Sequence, residues 1–479
     1  MADIEMYYEQ MYIFENDTRL YNFRFKDNGI PMWMYIRSWF IRSVTDKAGW
    51  KKADKIWKKK MERPFVKKDV LNKYIKKNPF LSKKNDILFA FWGYSGLSLH
   101  DDGLVYEEFI MPFLRMFPNN TATLMDGRIL NDYELDCAHP NWKMDDIFMD
   151  ILKMCRIIKK HHDLNVEDKK NIKELMNFLN HNCPLRINQD LRKEAEKRLE
   201  DVSWNSKYMI KICENYLRVI KPKVTVICCA SYPDILRTSM ILACRNRNVV
   251  TAELQHGLVG RNHANYHYCE YILNNSDCCK MLPDYYLTFG NYWNSLVNIP
   301  MKCKVIGYAK SVIQNVVINK KILFCAGINF DEYIKFLDGI IPKLDENVEI
   351  YFRFHPVYSS KRQKDRFSKY FKLPNFYAAD EKDLYFYMQD CQYVIQDGST
   401  ICYEALFMGK IVFSFRSEQS IRLGVNRLPD VHSFNSVEDF MELWNGRDKL
   451  QPKCHDEFFD LNYKENYIKF LKECGVNIK

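Results

Sequence analysis

Short apolar runs alternate with longer amphipathic stretches over most of the chain after residue 84. This alternation is typical of parallel sheets built from βαβ units. In the first half, apolar runs that predict strands cover 86–94, 223–231, 248–255 and 284–290, and helical patterns cover 144–160 and 188–220. In the second half, the runs that predict strands cover 320–327, 348–355, 392–398 and 410–415.

The strand pattern stops over 305–319 and then restarts, which indicates a boundary between two domains. We therefore predict an α/β protein with two doubly wound, Rossmann-like domains, 85–310 and 311–455. A helical arm (1–84) precedes them, and a helical stretch (456–479) is expected to pack back on the first domain. Ligands of such sheets bind beyond the carboxyl ends of the strands, so we expect the site in a cleft between the domains.

The composition is that of a folded protein large enough for two domains, with 479 residues, 47% hydrophobic and 28% charged. Its 17 Gly and 16 Pro exclude collagen-like and low-complexity chains. The 16 cysteines include no CxxC pair, and the N-terminus has no apolar signal segment, so we expect reduced thiols and a cytoplasmic protein. No window approaches about 18 consecutive apolar residues, so no transmembrane helix is predicted.

Positive charge is concentrated in the arm, where residues 37–84 hold 17 Lys and Arg against four acidic residues. Aromatic side chains lie within or just before this run, namely Trp33, Tyr35, Trp39, Phe40, Trp50 and Trp57. Lysines mixed with amphipathic aromatics suit an anionic membrane surface, so residues 33–84 are predicted to contact one. The alternative is a solvated lysine-rich helix whose aromatics pack on the body. Nucleic acid would attract the same charge, but no nucleic-acid-binding motif accompanies it, so none is predicted.

Two motifs follow strands of the second domain. The first is RFHP, in which Arg353 and His355 can donate to a phosphate while Pro356 stiffens the turn. The alternative is that RFHP is a simple turn at the end of the strand. His355 is nonetheless the side chain that lies where a ligand of this sheet edge is expected.

The second motif is DGSTICYEALFMGK over 397–410, a turn that leads into a helix. Ser399 and Thr400 fall at the helix start, where hydroxyls and free amides form an anion site, and Gly398 allows close backbone approach. Glu404 lies one turn further on the same face, where its carboxylate can accept both hydroxyls of a ribose. The alternative is that Ser399 only caps the helix and Glu404 is an exposed helical acid.

The first domain has a comparable strand exit in AELQHGLVGRNHANYHY over 252–268. We interpret its polar side chains as one wall of a pocket, formed by Gln255, His256, Gly257, His263 and Tyr266. A metal site is the competing interpretation, but the histidines lack a helical H-x3-H spacing and only Glu253 is near, so no metal is predicted.

The segment HDDG follows the first predicted strand by about ten residues and places Asp101 and Asp102 at the same edge. Adjacent acids point in different directions, so at most one of them is expected to be catalytic. Ordinary surface acids are the alternative.

Together, QHG, R-x-HP and D-G-S-T-x3-E resemble motifs of the GT-B glycosyltransferases of bacterial capsule and lipopolysaccharide assembly. The His-Pro and Ser-Thr pairs look like those of the sialyltransferases, polysialyltransferases and capsule Kdo transferases, and HDDG resembles their acidic motif. The resemblance implies that His355, Ser399 and Thr400 bind the donor phosphate, that Glu404 binds ribose, and that Asp102 or Asp101 is the general base. His256 is the reserve base.

The expected activity is therefore transfer of a sugar from a nucleotide-sugar to a growing polysaccharide or lipid-linked acceptor, inverting and without metal or other cofactor. CMP-sugars are the favoured donors, with UDP- and GDP-sugars as alternatives. The protein is expected at the cytoplasmic membrane as a peripheral protein. Competing functions are a nucleotide-sugar 2-epimerase or a glycerophosphate-type transferase of the same fold, and a non-enzymatic, membrane-associated assembly factor.

Overall fold

The structure is a computed structural model that describes residues 3–45, 75–92, 97–99, 104–107, 109–125, 136–137, 142–158, 164–310, 312–355, 361–380 and 383–478. The chain forms two compact units. The first unit comprises Ala2–His256, Ala264–Lys310 and Asp460–Lys479, and the second comprises Gly257–His263 and Ser311–Phe459.

The first unit is built on a seven-stranded sheet in the order β10-β9-β8-β7-β1-β4-β6, in which every pairing is parallel. A small sheet, β2-β3-β5, accompanies it. The strands are β1 (Ile87–Trp92), β2 (Leu97–Leu99), β3 (Leu104–Glu107), β4 (Thr121–Met125), β5 (Asp136–Cys137), β6 (Trp142–Met144), β7 (Val224–Ile227), β8 (Val250–Leu254), β9 (Tyr285–Thr288) and β10 (Lys302–Val305).

The second unit is built on a six-stranded parallel sheet in the order β13-β12-β11-β14-β15-β16. Its strands are β11 (Lys321–Cys325), β12 (Glu349–Arg353), β13 (Phe376–Ala378), β14 (Tyr393–Gln396), β15 (Ile411–Phe415) and β16 (Val431–Phe434). In each sheet the strand order reverses once, between β1 and β7 in the first and between β11 and β14 in the second. Such a switch point opens a crevice at the carboxyl ends of the two strands.

Helices connect the strands and cover the sheets. They are α1 (Asp3–Phe14), α2 (Met32–Thr45), α3 (Met111–Met116), α4 (Asp146–Ile158), α5 (Val166–Asn182), α6 (Gln189–Ile220), α7 (Ile235–Arg245), α8 (Glu270–Leu273), α9 (Ser276–Cys279), α10 (Asn291–Leu296), α11 (Phe330–Ile340), α12 (Lys361–Asp365), α13 (Leu384–Asp390), α14 (Ile401–Phe407), α15 (Glu418–Arg422), α16 (Val437–Asn445) and α17 (Tyr463–Glu473).

Both faces of the first sheet are buried. On one face, Tyr467, Phe470 and Leu471 of α17 pack with the strands. On the other, α6 and α7 cover Leu88 and Ile227. Strands buried on both faces read as continuous apolar runs, which is why the sequence predicts β1, β7, β8 and β9 of this sheet. The two parallel sheets confirm the predicted α/β class with two Rossmann-like domains.

The start of the predicted arm is part of the core of the first unit. Trp33 is fully buried, and Tyr35 and Phe40 are buried beside it. Arg37 in α2 is also buried, with Nε 2.5 Å from Oε1 of Glu15. These three aromatics pack inside the protein, as in the alternative of aromatics packed on the body, so they cannot contact a membrane surface. Membrane contact by the rest of residues 33–84 stays a prediction. Residues 46–74 lie outside the described part of the chain.

Within the part of the chain that the structure describes, none of the helices combines the length and the apolar character that crossing a bilayer requires.

Candidate functional site

The switch point of the second unit brings the two predicted motifs to one sheet edge. Cys325 ends β11 and pairs with Arg353 of β12 on one side and with Gln396 of β14 on the other. The segments that leave β12 and β14 therefore start from neighbouring strands. Arg353 and His355 lie on the first segment, and Gly398, Ser399 and Thr400 lie on the second.

A buried carboxylate anchors the turn after β14. Asp397 is 3% exposed and accepts hydrogen bonds from the Tyr333 hydroxyl at 2.7 Å, from Nδ2 of Asn329 at 3.0 Å and from the Ser417 hydroxyl. The Tyr333 oxygen in turn accepts from the backbone N–H of Gly327 at 3.0 Å. Burial raises the pKa of Tyr333 well above its ordinary value, so this hydroxyl stays a donor. The network fixes the turn that precedes Ser399.

Gly398 is required by the backbone of this turn. Its φ is +64°, and a Cβ would lie 2.9 Å from the backbone N of Ser420. Gln396 accepts from the Ser399 N–H at 3.1 Å and donates to the Ser414 hydroxyl at 2.9 Å. Gly398 thus allows a close contact with Ser420 of the protein itself. The backbone N–H of Ser399 is already hydrogen-bonded to Gln396.

Thr400, not Ser399, is the N-cap residue of α14, and its side chain makes no capping bond. Both side chains are half-buried. The helix has seven residues, so its dipole is small and any anion held here depends on the hydroxyls and on neighbouring cationic groups.

Glu404 is buried, with 2% exposure, so the alternative of an exposed helical acid is wrong. Burial raises the pKa of Cys325 to about 12, Glu404 adds to this rise and Arg353 opposes it. Arg353 pairs with Cys325 at the carboxyl edge of β11 and β12.

The segment after β12 is held by two residues that follow the neighbouring strand, β13. Arg353 donates to the carbonyl of Ala379 at 2.6 Å, and the Phe354 N–H donates to Oδ1 of Asp380 at 3.2 Å. His355 is half-buried. Pro356 lies outside the described residues, as do the predicted bases Asp101 and Asp102.

The switch point of the first unit carries a second polar cluster. Cys229 follows β7 and His256 follows β8, and Sγ lies 3.6 Å from Nε2 and 3.8 Å from Nδ1 of the imidazole. Burial alone would lower the pKa of His256, but Cys229 and Glu253 raise it to about 9. A raised pKa favours the protonated imidazole near neutral pH, which disfavours the predicted role of His256 as a base.

Glu253 lies inside the same unit on β8 and is fully buried. It accepts from the backbone N–H and hydroxyl of Ser231 at 2.9 and 2.5 Å and from the Tyr266 hydroxyl at 2.6 Å. Burial raises the pKa of Glu253 to about 7. Sequence reasoning missed Glu253 and Cys229 as site residues, although a charged residue inside an apolar run was a usable signal for Glu253.

The predicted pocket wall is largely interior structure. Gln255 is fully buried and accepts a hydrogen bond from the Phe289 N–H at 3.0 Å. Tyr266 is fully buried and donates a hydrogen bond to Glu253. These two side chains satisfy buried polar groups, so the prediction that they line an open pocket is wrong. His263 is buried and belongs with Gly257 to the second unit. Among the residues that the structure describes, no group of three or more His, Cys, Asp or Glu side chains could hold a metal ion.

No family model and no curated protein matches this chain. Solved structures that it resembles include the UDP-GlcNAc 2-epimerase of Methanocaldococcus jannaschii in complex with UDP-GlcNAc and UDP, at 12% identity over 81% of this chain and 99% of that chain, with a TM-score of 0.45. The UDP-GlcNAc 2-epimerase from Neisseria meningitidis bound to UDP-GlcNAc is 14% identical over 81% and 99%, with a TM-score of 0.43. Anabaena HepE in complex with UDP and glucose is 8% identical over 82% and 100%, with a TM-score of 0.42. Likeness at this level assigns no chemistry.

Proposed function

We propose that the protein is a glycosyltransferase that takes a sugar from a nucleotide-sugar donor. The observation that carries the proposal is the switch point between β11 and β14, where Arg353 pairs with Cys325 at the end of β11 and the segment after β14 leads into the helix that holds the buried Glu404. In doubly wound sheets this crevice is where nucleotides bind.

The donor phosphate is proposed to lie on Arg353, His355 and the hydroxyls of Ser399 and Thr400. A guanidinium and an imidazole both donate to phosphate oxygens, and their positive charge stabilises the negative charge that a leaving nucleotide collects. The turn at Gly398 supports this role because it holds the backbone of Ser399 and Thr400 in place before a ligand arrives.

Glu404 is proposed to bind the ribose. Its carboxylate is buried one helical turn after Thr400, and a carboxylate can accept from both hydroxyls of a vicinal diol. Removing its charge would then weaken donor binding without removing the turn.

For an inverting transfer, a base takes the proton of the acceptor hydroxyl, the new bond forms at the anomeric carbon, and the bond to the nucleotide phosphate breaks on the opposite face. The base proposed for this step is Asp102 or Asp101. The acceptor is proposed to be a growing polysaccharide or a lipid-linked glycan. The lysine-rich run after residue 46 supports an acceptor at an anionic membrane surface, through charge rather than through the aromatics before it.

The test is thermal stability of the full chain with CMP, CDP, UDP, GDP and ADP. A ligand at 100 times its Kd stabilises by about 2.7 kcal/mol, enough for a visible shift in Tm. We expect one nucleotide to stabilise the protein and the shift to disappear in Glu404→Gln and His355→Ala. Arg366→Ala, which removes an arginine paired with Asp331 elsewhere in the second unit, is the matched control and should keep the shift.

Incubation of the matching nucleotide-sugar with and without a glycan acceptor separates the competing functions. A transferase releases nucleotide when acceptor is present, whereas a 2-epimerase converts the donor sugar with no acceptor. Absence of any nucleotide-dependent shift would contradict the proposal and favour a non-enzymatic role.

A further inference from the structure

Cys229 and His256 meet at the switch point of the first unit, on segments that leave the adjacent parallel strands β7 and β8. The thiol sulfur lies 3.6 Å from Nε2 of the imidazole, within the distance for a sulfur hydrogen bond. Both residues are half-buried. This arrangement of thiol and imidazole is the usual one for activating a cysteine.

The backbone holds the thiol in place. Cys229 has a φ of +51°, in the left-handed region that non-glycine residues rarely occupy. Its neighbours are fixed on both sides, because Arg237 Nε donates to the Cys228 carbonyl at 2.8 Å and Ser231 is bonded to Glu253. Strained residues held by their surroundings cluster at functional sites.

The groups around the thiol favour its ionised form. The pKa of Cys229 lies well below its ordinary value, although burial opposes this. The groups that lower it are the Cys228 thiol, whose sulfur is 3.6 Å away, His256 and Arg237. The other titratable groups that face the pair are Glu253, Tyr232, Tyr266 and, through Tyr232, Arg42. Burial acts in the other direction at thiols elsewhere in the unit, such as Cys244 and Cys303, whose pKa is raised.

We propose that Cys229 and His256 form a thiolate–imidazolium pair, and that Cys229 is a site of covalent modification by hydroperoxides and other small soft electrophiles. The proposal does not depend on the glycosyltransferase function.

With a hydroperoxide, the thiolate sulfur attacks one peroxide oxygen, the S–O bond forms and the O–O bond breaks. His256 gives its proton to the departing oxygen, which leaves as water when the oxidant is hydrogen peroxide. The sulfur is oxidised to a sulfenic acid, the peroxide is reduced, and the imidazole becomes neutral. Modification thus removes the negative charge of Cys229 and the positive charge of His256.

The test is alkylation of the full-length protein by iodoacetamide across a range of pH, with modified peptides quantified by mass spectrometry. The reaction forms a C–S bond and releases iodide, so its rate follows the thiolate fraction. At about pH 6.5 we expect Cys229 to react at least about tenfold faster than Cys303, a half-buried thiol of the same unit, because one unit of pKa changes the thiolate fraction tenfold. This comparison within one molecule needs no variant.

His256→Gln keeps a hydrogen-bonding side chain but removes the charge. We expect it to slow the reaction of Cys229 at about pH 6.5 by roughly tenfold and to leave the rate unchanged at high pH, where Cys229 is ionised with or without His256. His181→Gln, at an exposed histidine on α5, is the matched control and should change neither rate. After peroxide treatment, dimedone should label Cys229 in the unsubstituted protein.

The proposal is overturned if Cys229 and Cys303 titrate together, if His256→Gln leaves the pH profile of Cys229 where it was, or if peroxide produces no dimedone adduct on Cys229.

Discussion

The Arg37 guanidinium lies on the Glu15 carboxylate inside the first unit, with Arg37 2% exposed and Glu15 fully buried. Nη2 of Arg37 is 2.8 Å from Oε2 of Glu15, and the Trp33 indole N–H donates to the same carboxylate at 2.8 Å. Arg37 also donates to the carbonyls of Ala264 and His267. A residue that belongs by sequence to a basic arm therefore ties α1 and α2 to the body of the unit.

Breaking this pair should destabilise the protein strongly. Glu15→Gln or Arg37→Ala leaves a buried charge without its partner, which removes about 3–5 kcal/mol of the free energy of unfolding. Urea denaturation measures the loss. Arg19→Ala, which removes an exposed arginine paired with Asp17, serves as the control and should change little. Equal behaviour of the two arginine variants would contradict a structural role for Arg37.

Glu253 should make stability depend on pH. Its pKa is raised to about 7, above its ordinary value, so between about pH 4.5 and 7 the folded protein holds a proton that the unfolded chain has lost. The free energy of unfolding should therefore fall as pH rises through this window. Glu253→Gln should flatten that slope, as measured by urea denaturation at each pH, although it also loses a hydrogen bond from Ser231 or Tyr266 at every pH.

The exposed Glu438, which pairs with Lys343 at the surface, provides the control for that experiment. Glu438→Gln should leave the slope as it is. A slope that persists in Glu253→Gln would show that another group titrates with folding.

Tyr333→Phe should loosen the turn at Gly398. The substitution removes a donor to Asp397 and an acceptor for the Gly327 N–H, both inside the second unit. Leaving those groups unsatisfied lowers the free energy of unfolding by about 1–3 kcal/mol. The same variant should bind the stabilising nucleotide less tightly. Tyr377→Phe, at an exposed tyrosine bonded to the Pro374 carbonyl, should do neither.

Lysines between residues 46 and 74 should govern any membrane binding. Replacing Lys58, Lys59 and Lys60 with glutamate should abolish co-sedimentation with anionic vesicles at low salt, because surface charges act within a Debye length of about 10 Å at 0.1 M salt. Replacing three exposed lysines of the second unit, Lys343, Lys369 and Lys453, is the control. Equal binding to neutral vesicles would show that charge is not the cause.

The sequence predicts β1, β7, β8, β9, β11, β12, β14 and β15, because strands buried on both faces are continuously apolar. It misses β4, an interior strand in which the buried Thr121 and Thr123 interrupt the apolar run. It also misses edge strands such as β10, where Lys302 and Lys304 alternate with half-buried residues. It also leaves out α5, although Ile172, Leu175, Met176 and Leu179 recur at helical spacing and are buried. Edge strands and surface helices bury less, so their patterns are weaker.

The site is predictable where it depends on strand ends and unpredictable where it depends on packing between distant segments. Arg353 and Gly398 follow apolar runs, so their place at one edge follows from the parallel sheet. The burial of Glu404 depends on how α14 packs, and the Arg37 pair depends on how Glu15, in the turn after α1, packs against α2. The Cys229 pair joins residues on two different strand exits, which becomes visible only once β7 and β8 are known to be neighbours.

The position of α17 bears on how the chain folds as it is synthesised. Tyr467, Phe470 and Leu471 complete one face of the first sheet, yet the whole of 311–459 precedes them in sequence. A ribosome therefore releases the sheet strands long before the helix that covers them, and the second unit can fold while that face is still open. During this interval the exposed apolar surface is a substrate for chaperones and a site for aggregation, so loss of α17 should reduce soluble yield more than its length implies.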